Sequence, residues 1–432
     1  MAERPLTILF MPESAYGPTN NCVGIGKLLE QRGHRVVFAA EASWKGKLEP
    51  LGFEEALVHL AEPPADDAGE EDAGKFWTDF ITETAPEFRK PTIEQLETFI
   101  QPVWQSLIDG AVYCQPQLEG ILETVRPDVV VEDNVNCFPA LMTCGAPFVR
   151  IVSCNPLELK DPGLPPAFSG YAADDPSRWA EFREAYDRVH RSTWDAYDEF
   201  VTSQGAPPLP DLEFIHESEH LNLYLYPQEL DYERTRPLGK TWHRLESSVR
   251  STDQAFTIPD GLARREGALV YLSLGSLGSA DVELMQRLVD VLAETPHRYI
   301  VSKGPRADEI SLPDNMWGEA RLPQTSIIPL VDLVVTHGGN STTTEAMHFG
   351  KPMVVLPLFW DQYDNAQRVH ETGYGIRLPT YGFTDDELRG ACGTLLADTV
   401  LRTRLAAAGE RIRAQDGTAR AADLIERVVR TG

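Results

Sequence analysis

Residues 333–347 read Leu-Val-Val-Thr-His-Gly-Gly-Asn-Ser-Thr-Thr-Thr-Glu-Ala-Met. Their order predicts a buried strand, a glycine turn and the start of a helix. Glycines let the backbone approach a ligand, and the first turn of a helix presents unpaired N–H groups at its positive end. The stretch therefore predicts an α/β unit with an anion-binding turn at a strand end, where open parallel sheets bind ligands.

Several polar residues of this stretch have a second interpretation. Thr342 and Glu345 have the spacing of a capping box, which would assign both to helix initiation. His337 adds a donor that can become cationic, but it could equally be a hydrogen-bonded histidine at a strand end. Residues 341–344 add hydroxyl donors in either case. An anion site here needs support from a second element.

A second polar strand end supplies that support. Residues 351–362 read Lys-Pro-Met-Val-Val-Leu-Pro-Leu-Phe-Trp-Asp-Gln, which predicts a buried strand ending at an exposed Trp360-Asp361-Gln362. A carboxylate beside a carboxamide suits sugar hydroxyls, which need both acceptors and donors. An aromatic ring can cover the apolar face of a sugar. The same residues could instead begin the helix that carries Asn365 and Ala366.

The alternation of strand and helix extends through both halves of the chain. The segment 21–31 predicts a helix closed by Gly33, and Pro102 should kink or divide the amphipathic segment 93–111. Predicted strands cover residues 6–11, 35–40, 128–131, 146–152, 268–273, 299–301, 333–335 and 353–356. This rhythm predicts an α/β fold with two doubly wound domains facing across a cleft.

A polar segment rich in Ser and Arg separates the two halves. We therefore predict an N-terminal domain over residues 1–240, a linker over 241–262 and a C-terminal domain over 263–432. The last 45 or so residues are predicted to be helical, and the final helix could pack back on the N-terminal domain.

Composition excludes several classes of function. A formal charge of −27 disfavours nucleic acid or an anionic membrane as a partner. No run of about 18 apolar residues is present, and the N-terminus lacks the features of a secretory signal. The six cysteines form no CxxC pair, which argues against a zinc site or a disulfide framework. We expect a cytoplasmic protein with an acidic, solvated loop over residues 62–72.

The two polar strand ends together resemble a known family. His337, Gly339 and Glu345, followed by the segments 350–352 and 357–366, are similar to the donor signature of family 1 glycosyltransferases. That family includes plant secondary-metabolite glucosyltransferases and bacterial macrolide- and antibiotic-type glycosyltransferases. The resemblance implies the GT-B fold, in which two Rossmann-like domains hold the acceptor in the N-terminal half and a nucleotide sugar in the C-terminal half.

The resemblance also implies roles in the donor site. His337 would contact the diphosphate, Glu345 would accept from the ribose hydroxyls, and Asp361 and Gln362 would bind hexose hydroxyls. At the base-binding turn this chain has Arg321 where the family usually has Trp, and a guanidinium plane can stack on a base. The implied donor-site residues are Gly275, Ser276, Arg321, Leu322, Gln324, His337, Gly339, Asn340, Ser341, Thr342, Glu345, Trp360, Asp361 and Gln362.

The acceptor side departs from the family, whose inverting members typically carry a catalytic His near the N-terminus and an orienting Asp later in the chain. Asp133 matches the Asp, but the segment 13–21 carries no His. Counting back from Gly33 puts Tyr16 at that position, and counting forward from Pro12 suggests Ser14, with Glu13 adjacent. Tyr16 could also merely pack at the mouth of the site.

Three explanations of the missing base stay open. Glu13, Tyr16 or Asp133 itself could act as the base, and Asp133 is preferred because it alone matches by position. A histidine from elsewhere, such as His216 or His220, could reach the cleft. The acceptor could also be acidic enough to need little help. His34 is expected to be an exposed, structural residue of a helix-to-strand turn.

Together these patterns predict an inverting glycosyltransferase. It would move a hexose, with glucose favoured, from a UDP- or TDP-sugar to a hydroxyl of a small apolar natural product or antibiotic. We expect no cofactor beyond the nucleotide sugar, no metal, and a monomer or homodimer without nucleic-acid or membrane partners. Aromatic residues that could line the acceptor pocket are Phe76, Trp77, Phe80, Phe99 and Trp104.

Two other functions are compatible with the same donor pattern. Because the histidine is missing, the chain could be a non-catalytic donor-binding homologue or an auxiliary partner of another glycosyltransferase. A nucleotide-sugar epimerase of the GT-B fold is the second alternative. Asp361 and Gln362 argue against the epimerase.

Overall fold

A computed structural model of the chain describes residues 4–62 and 83–431. The predicted acidic loop, apart from Glu62, lies outside these residues, and so do Phe76, Trp77 and Phe80. Within the described part, the chain forms two separate parallel sheets with helices packed on them. This arrangement confirms the predicted α/β class.

The first sheet has seven parallel strands in the order β3-β2-β1-β4-β5-β6-β7. These are β1 Thr7–Pro12, β2 Arg35–Phe38, β3 Glu54–Glu55, β4 Val129–Asp133, β5 Phe148–Val152, β6 Leu221–Tyr224 and β7 Trp242–Arg244. Along β1, Leu9 and Met11 pack into one core while Ile8 and Phe10 pack into another. Both faces of the sheet are therefore covered, which is why its strands are continuous apolar runs.

The second sheet has six parallel strands in the order β10-β9-β8-β11-β12-β13. These are β8 Leu269–Ser273, β9 Arg298–Ser302, β10 Met316–Glu319, β11 Leu333–Thr336, β12 Met353–Val355 and β13 Gly375–Arg377. The sequence patterns missed β3, β6, β7, β10 and β13, none of which exceeds four residues. Runs this short give too little periodicity to be recognised.

The longer helices connect these strands and close the chain. They are α1 Tyr16–Gln31, α2 Gln101–Val125, α3 Trp179–Ser203, α4 Val282–Ala293, α5 Asn340–His348, α6 Gln362–Glu371, α7 Asp385–Ala397, α8 Thr399–Gln415 and α9 Gly417–Thr431. Ahead of α2, the chain is α-helical over Thr92–Gln95 and π-helical over Leu96–Ile100. The change to α2 falls immediately before Pro102, which occupies the first turn of α2, where a missing N–H costs little.

Helix α1 starts five residues earlier than the sequence pattern predicts, at Tyr16 rather than at Asn21. The predicted loop over residues 13–21 is thus largely helical. Pro18 is tolerated because it lies in the first turn, where N–H groups have no partner within the helix. Gly17 also allows α1 to approach α5 closely, since a Cβ on Gly17 would lie 3.1 Å from Oγ of Ser341.

The chain leaves the first sheet later than the predicted linker allows, because β7 occupies Trp242–Arg244. Helix α9 returns to the first sheet at the end of the chain. Its residues Ala421, Ala422 and Ile425 share a buried core with Val23 and Leu29 of α1. The C-terminal segment therefore covers one face of the N-terminal sheet.

His34 is buried, with 8% of its surface exposed, so the prediction of an exposed residue is wrong. Its Nδ1 accepts a hydrogen bond from the backbone N–H of Leu6 at 3.1 Å, and its Nε2 lies 2.7 Å from Oε1 of Glu426 in α9. Because α9 covers this turn, a polar ring there needs partners on both nitrogens. Its role is structural, as expected.

Among the described residues, no helix combines the length and hydropathy needed to cross a membrane.

Candidate active site

Each sheet has a switch point, where neighbouring strands send their connections to opposite faces. In the first sheet, β1 and β4 end side by side at Pro12 and Asp133. In the second sheet, β8 and β11 end side by side at Ser273 and Thr336. Ligands of open α/β sheets bind outside such points. Here both points open into one cavity of about 600 Å³ that is lined by residues of both halves.

This cavity brings together the three candidate bases Glu13, Tyr16 and Asp133 and all of the implied donor-site residues. It is lined by Glu13, Tyr16, Asp133, Gly275, Ser276, Arg321, Leu322, Gln324, His337, Gly339, Asn340, Ser341, Thr342, Glu345, Trp360, Asp361 and Gln362. Phe99 lines it as well, whereas Trp104 lines a second cavity. The individual roles of these residues stay predictions.

His337 is held between two glycines. A Cβ added to Gly275 would lie 2.7 Å from Cε1 of His337, and one added to Gly339 would lie 2.5 Å from its Nε2. Gly275 also has a φ of +75°, a conformation that L side chains rarely adopt. Both positions therefore require glycine for the imidazole to sit at the end of β11.

Burial lowers the pKa of His337 to about 4, so the ring is neutral at pH 7 in the ligand-free protein. The cationic form considered from the sequence is therefore not the resting state. A neutral imidazole has one N–H donor, and a hydrogen bond between the ring and the backbone of Ser273 opposes the effect of burial on the pKa of His337.

The capping-box interpretation of Thr342 and Glu345 is wrong. Helix α5 begins at Asn340 after Gly339, so Thr342 is the third residue of the helix rather than its N-cap. Instead, Nε2 of Gln324 donates to Oγ1 of Thr342 at 3.1 Å and to Oε2 of Glu345 at 2.5 Å. The predicted base-binding turn and the hydroxyl-rich helix are thus joined directly.

Sequence reasoning missed Arg250 and Asp253, which come from the predicted linker and line the same cavity. Arg250 donates from Nη1 to Oε1 of Glu345 at 3.2 Å, and from Nε and Nη2 to Asp253 at 2.9 Å each. Asp253 in turn accepts from the backbone N–H and the hydroxyl of Thr325. No local pattern marks Arg250, because its partner Glu345 is 95 residues away.

Asp361 and Gln362 are buried, at 8% and 4% exposure, so the expectation of an exposed strand end is wrong. Oδ2 of Asp361 accepts from the backbone N–H of Asn155 at 2.9 Å and from Nδ2 of Asn365 at 3.2 Å. Burial raises the pKa of Asp361 to about 7. The N-terminal half therefore packs over these residues and fixes the carboxylate through Asn155, a residue that sequence reasoning missed.

Asp133 lies at the floor of the N-terminal side of the cavity. Its Oδ1 accepts from the hydroxyl of Ser153 at 2.7 Å, and its Oδ2 lies 3.9 Å from the thiol of Cys22, a weak donor. Burial raises the pKa of Asp133 well above its usual value. The carboxyl group is thus oriented mainly through Ser153, with the thiol of Cys22 beside Oδ2.

Glu13 is half-buried at the end of β1. It accepts from the Ser14 hydroxyl at 3.0 Å and the Ala15 backbone N–H at 2.9 Å. Burial, and to a lesser extent the charge of Glu41, raises the pKa of Glu13. Its backbone N–H donates to the carbonyl of Asp133 at 2.8 Å. Two carboxyl groups therefore line the same end of the cavity.

The ring of Tyr16 lies between Trp44 of the N-terminal half and Arg321 of the C-terminal half. Its centroid is 5.1 Å from that of Trp44, and the guanidinium carbon of Arg321 lies 5.2 Å from it on the C-terminal side. Tyr16 and Arg321, two positions at which the chain is expected to depart from the family, thus contact each other.

Neither of the alternative histidines lines the cavity. His216 is buried with its Nε2 2.7 Å from the carbonyl oxygen of Pro207, and Nδ1 of His220 accepts from the backbone N–H of Phe148 at 3.4 Å. The explanation that one of them reaches the cleft is therefore wrong for this conformation.

Over residues 4–62 and 83–431, no group of three or more His, Cys, Asp or Glu side chains is placed to hold a metal ion.

Comparison with known proteins shows which proteins the chain resembles. Residues 283–423 match the family model described as erythromycin biosynthesis protein CIII-like, C-terminal domain. The chain is 25% identical over 428 residues to oleandomycin glycosyltransferase of Streptomyces antibioticus, covering 98% of this chain and 90% of that protein.

Solved structures agree with this match. The glycosyltransferase of kitacinnamycin superimposes with a TM-score of 0.71 at 24% identity, covering 99% of this chain and all of that one. Glycosyltransferase VinC in complex with dTDP superimposes with a TM-score of 0.65 at 19% identity, covering 99% of this chain and 100% of that one.

The chain has the GT-B fold, and its homologues are glycosyltransferases. More narrowly, it is related to glycosyltransferases of the macrolide and antibiotic type. The resemblance predicted from the segment 337–366 is thereby confirmed.

Proposed function

We propose that this chain is an inverting glycosyltransferase that moves a hexose from a UDP- or TDP-sugar to a hydroxyl of a small, largely apolar acceptor. The observation that carries the proposal is the common cavity. It places a glycine-held imidazole and a helix N-terminus on one side, and a buried carboxyl group, Asp133, on the other. An anionic leaving group and a hydroxyl nucleophile need these two kinds of site.

The donor would bind along the C-terminal wall. The N-terminus of α5 and the N–H of His337 face the diphosphate, and Gln324 and Glu345 face the nucleoside. A related structure contains dTDP, which supports a pyrimidine nucleotide. Asp361 and Gln362 line the cavity and favour a fully hydroxylated sugar such as glucose, because a carboxylate and a carboxamide can pair with sugar hydroxyls as acceptors and donors.

Asp133 is the proposed general base. It takes the proton of the acceptor hydroxyl, whose oxygen forms a bond to the anomeric carbon while the bond from that carbon to the diphosphate oxygen breaks. Attack from the face opposite the leaving group inverts the configuration. Burial raises the pKa of Asp133, which makes its carboxylate a stronger base than a solvent-exposed one.

The proposed reaction uses no metal ion. Among the carboxylates that line this side of the cavity, Glu345 is already bonded to Arg250 and Gln324, and Asp361 to Asn155 and Asn365. Charge developing on the diphosphate would be offset by the first-turn N–H groups of α5 and by His337. Turnover in the presence of a chelator should therefore equal turnover in its absence.

The decisive experiment combines binding and turnover. UDP-glucose and TDP-glucose are incubated with a panel of phenolic and macrocyclic acceptors, and products are identified by mass spectrometry. Nucleotide binding is measured separately by calorimetry. Intact binding without any product would reject the proposed activity and favour a non-catalytic donor-binding protein. Hydrolysis or epimerisation of the sugar without transfer would favour the epimerase.

Variants then assign the base. Asp133→Asn is expected to lower kcat by about 10²- to 10⁴-fold with little change in nucleotide affinity. Tyr16→Phe, which keeps the ring but loses the hydroxyl, should retain most of the activity. Glu13→Gln is the matched carboxyl control. A large loss in Glu13→Gln with an active Asp133→Asn would move the role of base to Glu13.

A further inference from the structure

A second cavity, of about 360 Å³, lies entirely in the N-terminal half. It opens to solvent beside the exposed residues Pro162 and Asp211, and its inner end is formed by the buried residues Trp104, Arg150 and Phe214. Cavities of this volume with aromatic walls are typical of small-molecule sites. Nothing in the donor site accounts for it.

The inner end of this cavity abuts the candidate active site. Val135 and Glu158 line both cavities. Val135 is two residues beyond Asp133, so their Cα atoms are at most about 7 Å apart. A molecule bound at the partition is therefore within reach of the proposed base.

The ring of Trp360 forms part of this partition from the C-terminal side. Trp360 lines the main cavity, and its ring lies 4.5 Å from that of Phe168 and 5.2 Å from that of Trp104, both of which line the second cavity. It has a φ of +56°, which is rare for a bulky residue. Such a conformation persists where the surroundings impose it, often at functional sites.

The walls of the second cavity suit a neutral, flat, apolar group. Trp104 stacks on Phe214 with centroids 4.1 Å apart, and Phe168 lies parallel to Tyr186 at 6.4 Å. The charge of the buried Arg150 is paired, since its Nη2 donates to Oε1 of Glu158 at 2.8 Å, although its Nε has no hydrogen-bond partner among the described residues.

Several other charged side chains of the lining are compensated. Arg183 donates to the carbonyl oxygens of Leu164 and Pro162, and Asp161 accepts from the Thr235 hydroxyl and from backbone N–H groups. Asp187 and Asp211 are both paired with Arg191. Lys160 and Glu213 line the cavity as well, where Nζ of Lys160 donates to the carbonyl oxygen of Leu212 and its charge opposes that of Glu213. The uncharged aromatic faces are then the surface that would select a flat ring.

We infer that this second cavity binds the far end of an elongated acceptor, a neutral aromatic or other flat apolar ring system, while the near end presents its hydroxyl to Asp133. The chemistry at Asp133 rests on the proposed function, whereas ligand binding in the second cavity does not. If the inference holds, the residues that line the second cavity distinguish long acceptors from short ones, and the residues around the nucleotide sugar do not.

The test compares two acceptors that share one nucleophile. 7-Hydroxycoumarin and 7-hydroxyflavone carry the same phenol on the same kind of bicyclic core, and the flavone adds a phenyl ring at the far end. The variant is Ala167→Phe, which adds a ring to the lining of the second cavity. The control is Ala172→Phe, a half-buried position in the same segment that lines neither cavity.

Binding is measured by quenching of tryptophan fluorescence, and transfer from UDP-glucose by mass spectrometry. In Ala167→Phe we expect both the dissociation constant and the Michaelis constant for the flavone to rise at least about tenfold, and those for the coumarin to stay within about twofold. Ala172→Phe should change neither. Equal effects on both acceptors, no effect on the flavone, or no binding of the flavone to the unmodified protein would overturn the inference.

The two proposals fail in different ways. Selective loss of flavone binding in Ala167→Phe without any glycosylated product would retain the second cavity as a binding site and reject the transferase activity. Glycosylation of both acceptors, unaffected by Ala167→Phe, would retain the activity and reject the second cavity. Circular dichroism and thermal unfolding of both variants establish that each is folded.

Discussion

Asn340, the first residue of helix α5, donates a hydrogen bond from Nδ2 to the carbonyl oxygen of Ser153 at 2.8 Å. The same amide nitrogen also reaches the carbonyl oxygen of Leu225 at 3.1 Å. Ser153 holds Asp133 through its hydroxyl. Asn340 and Ser153 thus connect the start of α5, the helix proposed to bind the diphosphate, with the carboxyl group proposed to activate the acceptor.

Removal of this connection should affect ligand binding as well as stability. Asn340→Ala loses two buried hydrogen bonds and is expected to lower the free energy of unfolding by about 1–3 kcal/mol. Because the helix start is then less well placed, the Kd of UDP-glucose should rise about three- to tenfold. Calorimetric titration and urea unfolding measure the two effects.

Asn315→Ala is the matched control for that change. Nδ2 of Asn315 also reaches two carbonyl oxygens, those of Ala293 and His297, but both lie within the C-terminal half. In Asn315→Ala the free energy of unfolding should fall by a similar amount, while the Kd of UDP-glucose stays unchanged. A similar rise in Kd for both variants would mean that general destabilisation, not the connection between the halves, controls binding.

Gly339→Ala should displace His337. The new Cβ would lie 2.5 Å from Nε2 of the imidazole, so the ring must move. We expect the Kd of UDP-glucose to rise at least about tenfold, since a displaced donor no longer meets the diphosphate. In a His337→Ala background the same substitution should cause little further loss, which a double-mutant cycle measures.

Gly393→Ala in α7 serves as the control for added bulk, because nothing lies within 4 Å of its new Cβ. It should leave the Kd unchanged and raise stability slightly, since alanine favours a helix. If Gly339→Ala weakened binding equally in the presence and absence of His337, the steric argument would fail.

Ser153→Ala should shift the pH profile of the reaction. The Ser153 hydroxyl lowers the pKa of Asp133 by stabilising its charged form, so loss of this hydroxyl should raise that pKa further. The acidic limb of kcat/KM is then expected to move to higher pH. Ser153→Thr, which retains a hydroxyl, should give the acidic limb of kcat/KM at the same pH as the unmodified protein. An unshifted limb in Ser153→Ala would remove Asp133 from the observed titration.

Asp364 predicts a pH dependence of stability. Burial raises the pKa of Asp364 to about 8, while its carboxyl accepts from the backbone N–H groups of Phe168 and Gly170 at 2.6 and 2.8 Å. A carboxyl group with a pKa raised on folding stabilises the fold at low pH, and this stability is lost as pH rises through the folded value. Asp364→Asn cannot ionise and should escape that loss.

The measurement is the melting temperature of the variant minus that of the unmodified protein between pH 5 and pH 8.5. This difference should become more positive as pH rises. Asp386→Asn, whose side chain is 95% exposed, is the control and should give a flat difference. A difference for Asp364→Asn that falls with rising pH would contradict the assigned sign.

Local sequence patterns were sufficient to predict the elements around the donor site. Apolar runs marked the strands β8 and β11, and a glycine pair followed by hydroxyl residues marked the start of α5. Backbone conformation and helix initiation depend on neighbours along the chain, so His337, Gly339 and Asp361 could be placed at strand ends from local pattern alone. The alternation of these elements also predicted the fold class.

How these elements meet became visible only in the folded chain. Asn155 and Asp361 are separated by 206 positions, and Arg250 and Glu345 by 95, so no local pattern pairs them. The exposure of Asp361 was mispredicted for the same reason, because burial depends on the opposite half of the chain. The second cavity likewise exists only where distant segments pack around Trp104. Periodicity along the chain reports which face of an element is apolar, whereas contacts between the halves depend on how two folded sheets are placed against each other.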